Sequence, residues 1–272
     1  MQTQSHTDDM DLPQEIIDEV IDNIGAFDPG TLKSASLVQR SWTQRSRRRL
    51  FNSILFSSSS RLERWSLSIS PDPKGIASYP RVMHLSHNTQ QSWVEPKNLD
   101  KFYDHFRSFS GVERLVIVGL EPTKFDRTST PRYFGNFAAT VRSLELQTAI
   151  GTPASLLSFI SAFPLVDNLA ILSPVVTVGG GNQGEVMHLA STPSFRGRFR
   201  LLEMSHGLDR LVELLCDLPL LFHTIWVSSR GTERLPQLVK LVNKCGNTLR
   251  SLHIMRETHS TTSAHPSISV GD

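Results

Sequence analysis

A recurring apolar register constrains this chain more than any other feature. An apolar residue, two free positions, an apolar residue, one free position and a third apolar residue recur as Val112-Leu115-Ile117, Val141-Leu144-Leu146, Val166-Leu169-Ile171, Phe199-Leu202-Met204, Phe222-Ile225-Val227 and Leu249-Leu252-Ile254. A weaker version begins at Val82 with Leu85. Successive starts lie 29, 25, 33, 23 and 27 residues apart, close to the ~20 to 29 residue period of stacked strand-and-helix units. Hydrophobic residues make up 39% of the chain, so a three-position match arises by chance ~6% of the time, and context must carry the argument. It does so in four places, where a helix-like apolar segment and a break precede the strand: Leu99 to Phe109 then Gly111, Leu156 to Phe163 then Pro164, Leu208 to Leu218 then Pro219, and Leu235 to Val242 then Gly246. No unit of this size buries its own apolar face, so the units must stack to be stable.

Period and strand pattern together resemble leucine-rich repeats, in a worn form. The Asn or Cys that follows the strand in well-formed repeats is absent, and Leu120, Ala149 and Pro174 stand in its place. The predicted fold class is therefore mixed α/β (α+β): a leading helical segment, then an irregular solenoid of short parallel strands and helices. Alternation along each strand sends the free positions outward on a concave face. That face would carry Arg114, Val116, Val118; Ser143, Glu145, Gln147; Asn168, Ala170, Leu172; Leu201, Glu203, Ser205; Thr224, Trp226, Ser228; and Ser251, His253, Met255. The candidate target-binding residues among them are Arg114, Glu145, Asn168, Glu203, Trp226 and His253. Trp226 is either an anchor for a partner or a side chain covered by a cap or the tail.

The first 56 residues follow a different period. Asp11-Leu12-Pro13 writes a helix start, since Asp caps free amides and proline suits a first turn. Ile16, Ile17, Val20, Ile21 and Ile24 then recur at helical spacing against Glu15, Asp18, Glu19 and Asp22, and Gly25 is placed to stop the helix. A second helix starts at Asp28-Pro29 with Leu32, Ala35, Leu37 and Val38, and a third near Ser41 carries Trp42 to Leu50 and Phe51. Forty residues of this kind bury too little surface to be secure alone, so apolar remainder is predicted to meet another chain or the next domain. Arg40, Arg45, Arg47, Arg48 and Arg49 read as a solvated helix face rather than a nucleic-acid patch, because no second basic stripe extends it.

In order and spacing, Leu12-Pro13-x-Glu15-Ile16-Ile17, Leu32, Ala35-Ser36-Leu37-Val38, Arg40-Ser41-Trp42 and Leu50-Phe51 resemble the F-box proteins, in particular those of mushroom-forming fungi. The likeness covers roughly 11 to 56, a fifth of the chain, and departs at Gln39, where the family often has Cys or Ser. It implies that Leu12, Pro13, Ile16, Ile17, Val20, Leu37, Val38 and Trp42 contact a Skp-type adaptor, which links to a cullin scaffold of a ubiquitin ligase. The implied function is a non-catalytic substrate-recognition adaptor, with an unknown protein target on the repeat face.

The expected organisation is a disordered 1–10, an F-box-like 11–56, a linker or irregular first unit at 57–78, where Ser57 to Ser60 and Pro71 to Gly75 read as connections, an array at 79–255 and a disordered tail at 256–272. Twenty-eight Lys and Arg against 26 Asp and Glu leave a net charge of +2, so no global field marks a nucleic-acid binder. No apolar run is long enough for a membrane span, and a cytoplasmic or nuclear location is expected. Cys216 and Cys245 sit in apolar stretches and read as reduced core thiols. No metal and no cofactor is expected: the His84 and His87 pair lacks a third ligand nearby. The strongest rival is a nucleotide-dependent enzyme using Gly179 to Gly184, with Glu203 at the right distance, but Pro193 cuts short the helix that phosphate binding needs. An interaction protein acting outside any ligase would have the same fold.

Overall fold

The computed structural model describes residues 12–24, 28–70, 75–86, 93–125, 129–176, 195–202, 208–229 and 235–256. The ends expected to be disordered, 1–10 and 256–272, lie outside the described residues except for Arg256, which closes the last strand. The chain opens with three helices, α1 (Gln14–Asn23), α2 (Pro29–Val38) and α3 (Arg40–Leu50). Ile17, Ile21 and Leu32 form their small core, packed by Ile24, Trp42 and Leu50 and separate from the main core. Asp28 caps α2 as expected, its carboxylate accepting from the Thr31 N–H at 3.0 Å. Pro13 occupies the cap position of α1 and not its first turn, with no side-chain cap bond.

The arginine run of α3 is spent on packing. Arg45 Nε donates to Asp22 at 3.0 Å and its Nη2 pairs with the same carboxylate. Arg49 Nη2 donates to the carbonyls of Asp22 and Ile24 at 2.9 and 3.0 Å, satisfying the open carbonyl end of α1. Arg48 lies over the Tyr79 ring. The cluster read as a solvated face is thus partly a clamp between α3 and the acidic side of α1. The Arg45 guanidinium, through this hydrogen bond, holds the Asp22 carboxyl below its ordinary range.

The array follows as β1 (Ser53–Phe56), α4 (Ser59–Ser68), β2 (Val82–Leu85), α5 (Pro96–Leu99), α6 (Tyr103–Ser108), β3 (Arg114–Val118), α7 (Ser129–Ala138), β4 (Ser143–Gln147), β5 (Ile150–Gly151), α8 (Pro153–Ile160), β6 (Asn168–Leu172), β7 (Val175–Val176), β8 (Phe195–Leu202), α9 (Leu208–Cys216), β9 (Leu220–Ser229), α10 (Leu235–Cys245) and β10 (Ser251–Arg256). Eight strands form one parallel sheet in the order β1-β2-β3-β4-β6-β8-β9-β10, so each main strand adds beside the last. β5 and β7 pair separately. This is a leucine-rich-repeat-like stack. Among the described strands the order never reverses, whereas open doubly wound sheets hold dinucleotides where it does.

The array begins earlier than its sequence suggests. Ser53–Phe56 is already a sheet strand, with Ile54 and Phe56 buried and Ser53 and Leu55 exposed. The serine run is no flexible connection: Ser58 caps α4, accepting from the Arg61 N–H at 3.4 Å. Most of the stretch expected as a linker or irregular unit, 57–78, is therefore helix and short turn. Phe51, at the end of α3, meets the Trp65 ring edge-on at 5.8 Å, as does Phe56, and this joins the helical unit to the stack.

Helix α7 escaped the periodicity because Pro131 and Gly135 interrupt it. Pro131 sits in the first turn, where a missing N–H is harmless, and Gly135 lies on the exposed side, while Tyr133, Phe134 and Phe137 point into the core. There a chain of rings crosses successive units. Phe134 lies 5.3 Å from Phe159, 5.9 Å from Phe125, 6.2 Å from Phe137 and Phe163, and 6.4 Å from Phe106.

The turn after the strand explains how the stack manages without the missing asparagine. Gly119, Thr148 and Ser173 follow β3, β4 and β6 at the same register and all take positive φ, 71°, 47° and 48°. Each is followed by a buried Leu120, Ala149 or Pro174. Backbone groups supply the ladder: the Gly119 N–H donates to the Gln147 carbonyl at 2.8 Å and the Thr148 N–H to the Leu172 carbonyl at 2.9 Å. Non-glycine residues in this conformation cost ~1 to 2 kcal/mol, more so when β-branched. Thr148→Gly and Ser173→Gly are therefore expected to stabilise the fold by ~0.5 to 1 kcal/mol each, after the extra freedom of the unfolded glycine is subtracted. Thermal melts of the two variants check this, and a lowered melting temperature in both would refute the strained-turn account.

Candidate functional site: the open face of the sheet

One face of the sheet packs against the helices through Met83, Leu85, Leu115, Ile117, Leu144, Leu146, Leu169, Ile171, Ile225 and Val227, all buried. The alternate positions form the open face in rungs fixed by the register. The central rung runs Leu55, His84, Val116, Glu145, Ala170, Arg200, Trp226, His253. The rung beside it runs Ser53, Val82, Arg114, Ser143, Asn168, Arg198, Thr224, Ser251.

Five of the six predicted target-binding residues occupy these two rungs. Arg114 Nη2 donates to Glu145 at 2.9 Å, and Gln147 Nε2 donates to the same carboxylate at 2.6 Å. Burial alone would raise the Glu145 pKa; these two hydrogen bonds, with the charges of Arg114 and Arg200, more than offset it, and the group lies below its ordinary value. Asn168 Nδ2 donates to Ser143 Oγ at 3.2 Å. Trp226 is half-buried, and His253 stacks on it with ring centroids 4.0 Å apart and planes 20° from parallel. Part of its cover therefore comes from the neighbouring strand. Burial and the Arg114 charge together lower the pKa of His84, which faces the same patch.

The fourth unit corrects the sequence register. Phe199 pairs with Leu169 and Leu201 with Ile171, so both point into the core and Leu201 is 1% exposed. The face is built by Arg198 and Arg200 instead. Leu201 is thus not a surface residue, while Glu203 and Ser205 lie outside the described residues. On this register the unit starts at residue 196, and the steps around it become 30 and 26 in place of 33 and 23. Leu202 and Met204 offer an apolar match three residues out of register. Because side chains alternate with period two, an odd shift such as this inverts every side chain of the strand and hides the two arginines. The alternation Arg196, Arg198, Arg200 against Gly197, Phe199, Leu201 was the available signal. Gly197 has φ 82°, and β9 carries one extra residue, His223, opposite the Gly197–Arg198 step.

On the helical unit, the predicted adaptor-binding residues divide. Leu12, Ile16, Val20, Leu37 and Val38 are 53, 44, 46, 86 and 66% exposed, and Pro13 is exposed beside them in sequence. Ile17 is not available for contact: at 4% exposure it belongs to the small core, against which Trp42 is packed, half-buried. Helix α1 therefore carries two apolar stripes, one spent on Leu32 and α3 and one left bare.

Among the described residues no group of three His, Cys, Asp or Glu is placed to hold a metal ion, and no helix is long and apolar enough to cross a membrane. Gly179 to Gly184 lies outside the described residues, as does His87. Burial pushes both thiols up from their ordinary value, Cys216 and Cys245 alike, which leaves them poor nucleophiles.

No family model matches the chain, and no curated protein matches it. Among solved structures, it is similar to the leucine-rich repeat-containing protein LegL7 from Legionella pneumophila, over 95% of this chain and 74% of that one, at 12% identity and a TM-score of 0.39.

Proposed function

We propose that this chain is a non-catalytic substrate-recognition adaptor of a cullin-type ubiquitin ligase. Its leading helices form an F-box-like module that docks a Skp-type adaptor, and its sheet face holds a protein target. The observation that carries the reading is the bare second stripe of α1. Leu12, Ile16 and Val20 recur at a spacing of four residues on the side away from the small core, and Leu37 and Val38 end α2 uncovered. Five large apolar side chains left exposed on a unit of forty residues support reading it as a docking surface. The Leu12-Pro13 opening and the Arg40-Ser41-Trp42 step support the F-box identification on sequence.

Purified fungal Skp-type adaptor is the partner for the test. Ile16→Ala, Leu37→Ala and Val38→Ala combined are expected to weaken binding by about tenfold or more, each truncation of an anchor buried in the complex costing ~1 kcal/mol or more, with the melting curve little changed because these side chains lie outside the small core. Ile17→Ala serves as the contrast, since it should lower stability first. Equal adaptor binding by the wild-type chain and the triple variant would remove the F-box assignment.

A further inference from the structure

We infer that the open face takes an extended acidic segment of a polypeptide, with two carboxylates, two residues apart, seated on Arg198 and Arg200, and an apolar side chain between them and the Trp226–His253 stack. The inference rests on the reading of the sheet face as a target-holding surface, and names the chemistry of what it holds.

Charge is the first argument. The chain as a whole is nearly neutral at +2, yet positive charge gathers on this face and on the rim at the amino-terminal ends of the strands. Arg81 is matched there by Glu113 at 3.3 Å, and Arg114 by Glu145 at 2.9 Å. Arg142, Arg198, Arg200 and Arg250 are exposed and form no ion pair among the described residues. Asp167 is the one further acidic side chain on the same rim within the described register. A surplus of arginines on one face attracts a carboxylate-bearing partner and speeds its encounter.

Spacing is the second. Arg198 and Arg200 point the same way from one strand, ~6.4 to 6.8 Å apart along it. An extended peptide repeats its own side chains at the same interval, so an Asp or Glu pair two residues apart matches both guanidinium groups at once, each carboxylate accepting a charge-assisted bond from one of them. The adjoining rungs complete the fit. Ala170 sits beside Arg200 in the central rung, 7% exposed, and its methyl group lets a chain approach the sheet. Trp226 lies on the other side of Arg200, stacked on His253, and offers an apolar wall.

A nucleic acid fits this face less well. Glu145 and Asp167 flank the arginines, and a continuous phosphate backbone would run into both, whereas a peptide with two placed carboxylates need meet neither.

The test is selection of random dodecapeptides on the immobilised full-length chain and on the charge-reversed R198E/R200E chain, with a single-stranded DNA dodecamer as competitor. The wild-type chain should enrich peptides with Asp or Glu at alternate positions beside an apolar residue. The reversed chain should bind those peptides about tenfold more weakly or worse and enrich Lys and Arg in their place. Arg198→Gln with Arg200→Gln provides a second, uncharged variant, and melting curves establish that each is folded. Absence of acidic enrichment, its persistence on the reversed chain, or displacement of the peptides by the DNA dodecamer would overturn the inference. Adaptor binding is measured on the same preparations. Its loss from the wild-type chain would strike the ligase reading while leaving the peptide result standing, so the two failures are told apart.

Discussion

Phe134→Ala is expected to destabilise the fold by ~3 to 5 kcal/mol, the range for emptying a buried aromatic site, and to lower the melting temperature by roughly 10 °C. Phe134 is fully enclosed and its ring touches five others drawn from α6, the turn before α7, α7 itself and the α8 segment. Each edge-to-face pair adds ~0.5 to 1.5 kcal/mol beyond its buried area, and the pairs run from unit to unit. In a stack, each unit is stable largely through its neighbours. Loss of this ring therefore weakens two interfaces together, and collapse of the surroundings is limited because the remaining rings are held by their own helices. Chemical denaturation with fluorescence and far-UV circular dichroism measures the effect. A loss under ~1 kcal/mol would mean that the ring chain is not a structural spine, since a cavity of that size cannot be that cheap.

Gly197→Ala should cost ~3 kcal/mol or more, from backbone conformation and overlap together. A Cβ at this position would stand 1.9 Å from the Asp167 carbonyl oxygen, and the residue has φ 82°. The overlap is with backbone and not with the end of a flexible side chain. Relief requires β8 to move off β6, which breaks the bond from the Arg198 N–H to the Asp167 carbonyl. Because Arg198 follows directly, the same movement would displace the arginine pair of the open face. Amide hydrogen exchange should show protection lost first in β8 and β9. Gly135→Ala in α7 is the control: nothing lies within 4 Å of its added Cβ, and replacing a helical glycine at an exposed site is stabilising by up to ~1 kcal/mol. Equal stability of the Gly197→Ala chain and the wild type would mean that the β6–β8 pairing does not need the glycine.

Period and burial were written plainly in the sequence. Val112-Leu115-Ile117, Val141-Leu144-Leu146 and Val166-Leu169-Ile171 placed β3, β4 and β6 correctly, because a strand buried on one side must alternate and a stacked unit must recur. Helices α9 and α10 were equally legible, since Leu211, Val212 and Leu215, and Leu238, Leu241 and Cys245, keep a helical spacing through to the core. The cap at Asp28 was legible for the same reason, being a contact within four residues. Where the determining contact was distant in sequence, the reading failed. The phase of β8 depends on pairing with β6 and on the extra residue in β9; within the segment itself the arginine alternation at 196, 198 and 200 competes with the apolar match at Leu202 and Met204, and local pattern does not choose between them. The role of Arg45 and Arg49 depends on α1 passing alongside α3, and the burial of Ile17 but not Ile16 on which side of α1 meets Leu32.

The sequence alone determined that the chain would form short units, which faces of its strands and helices would be apolar, and that a helical segment with surplus apolar surface would precede them. These are consequences of local spacing, because neighbouring residues already fix periodicity and caps. Only the tertiary structure decided the strand phase in the fourth unit, the left-handed turns at Thr148 and Ser173, and the arginine pair beside Trp226. Each of these depends on contacts between residues some twenty or more positions apart, which local spacing does not fix.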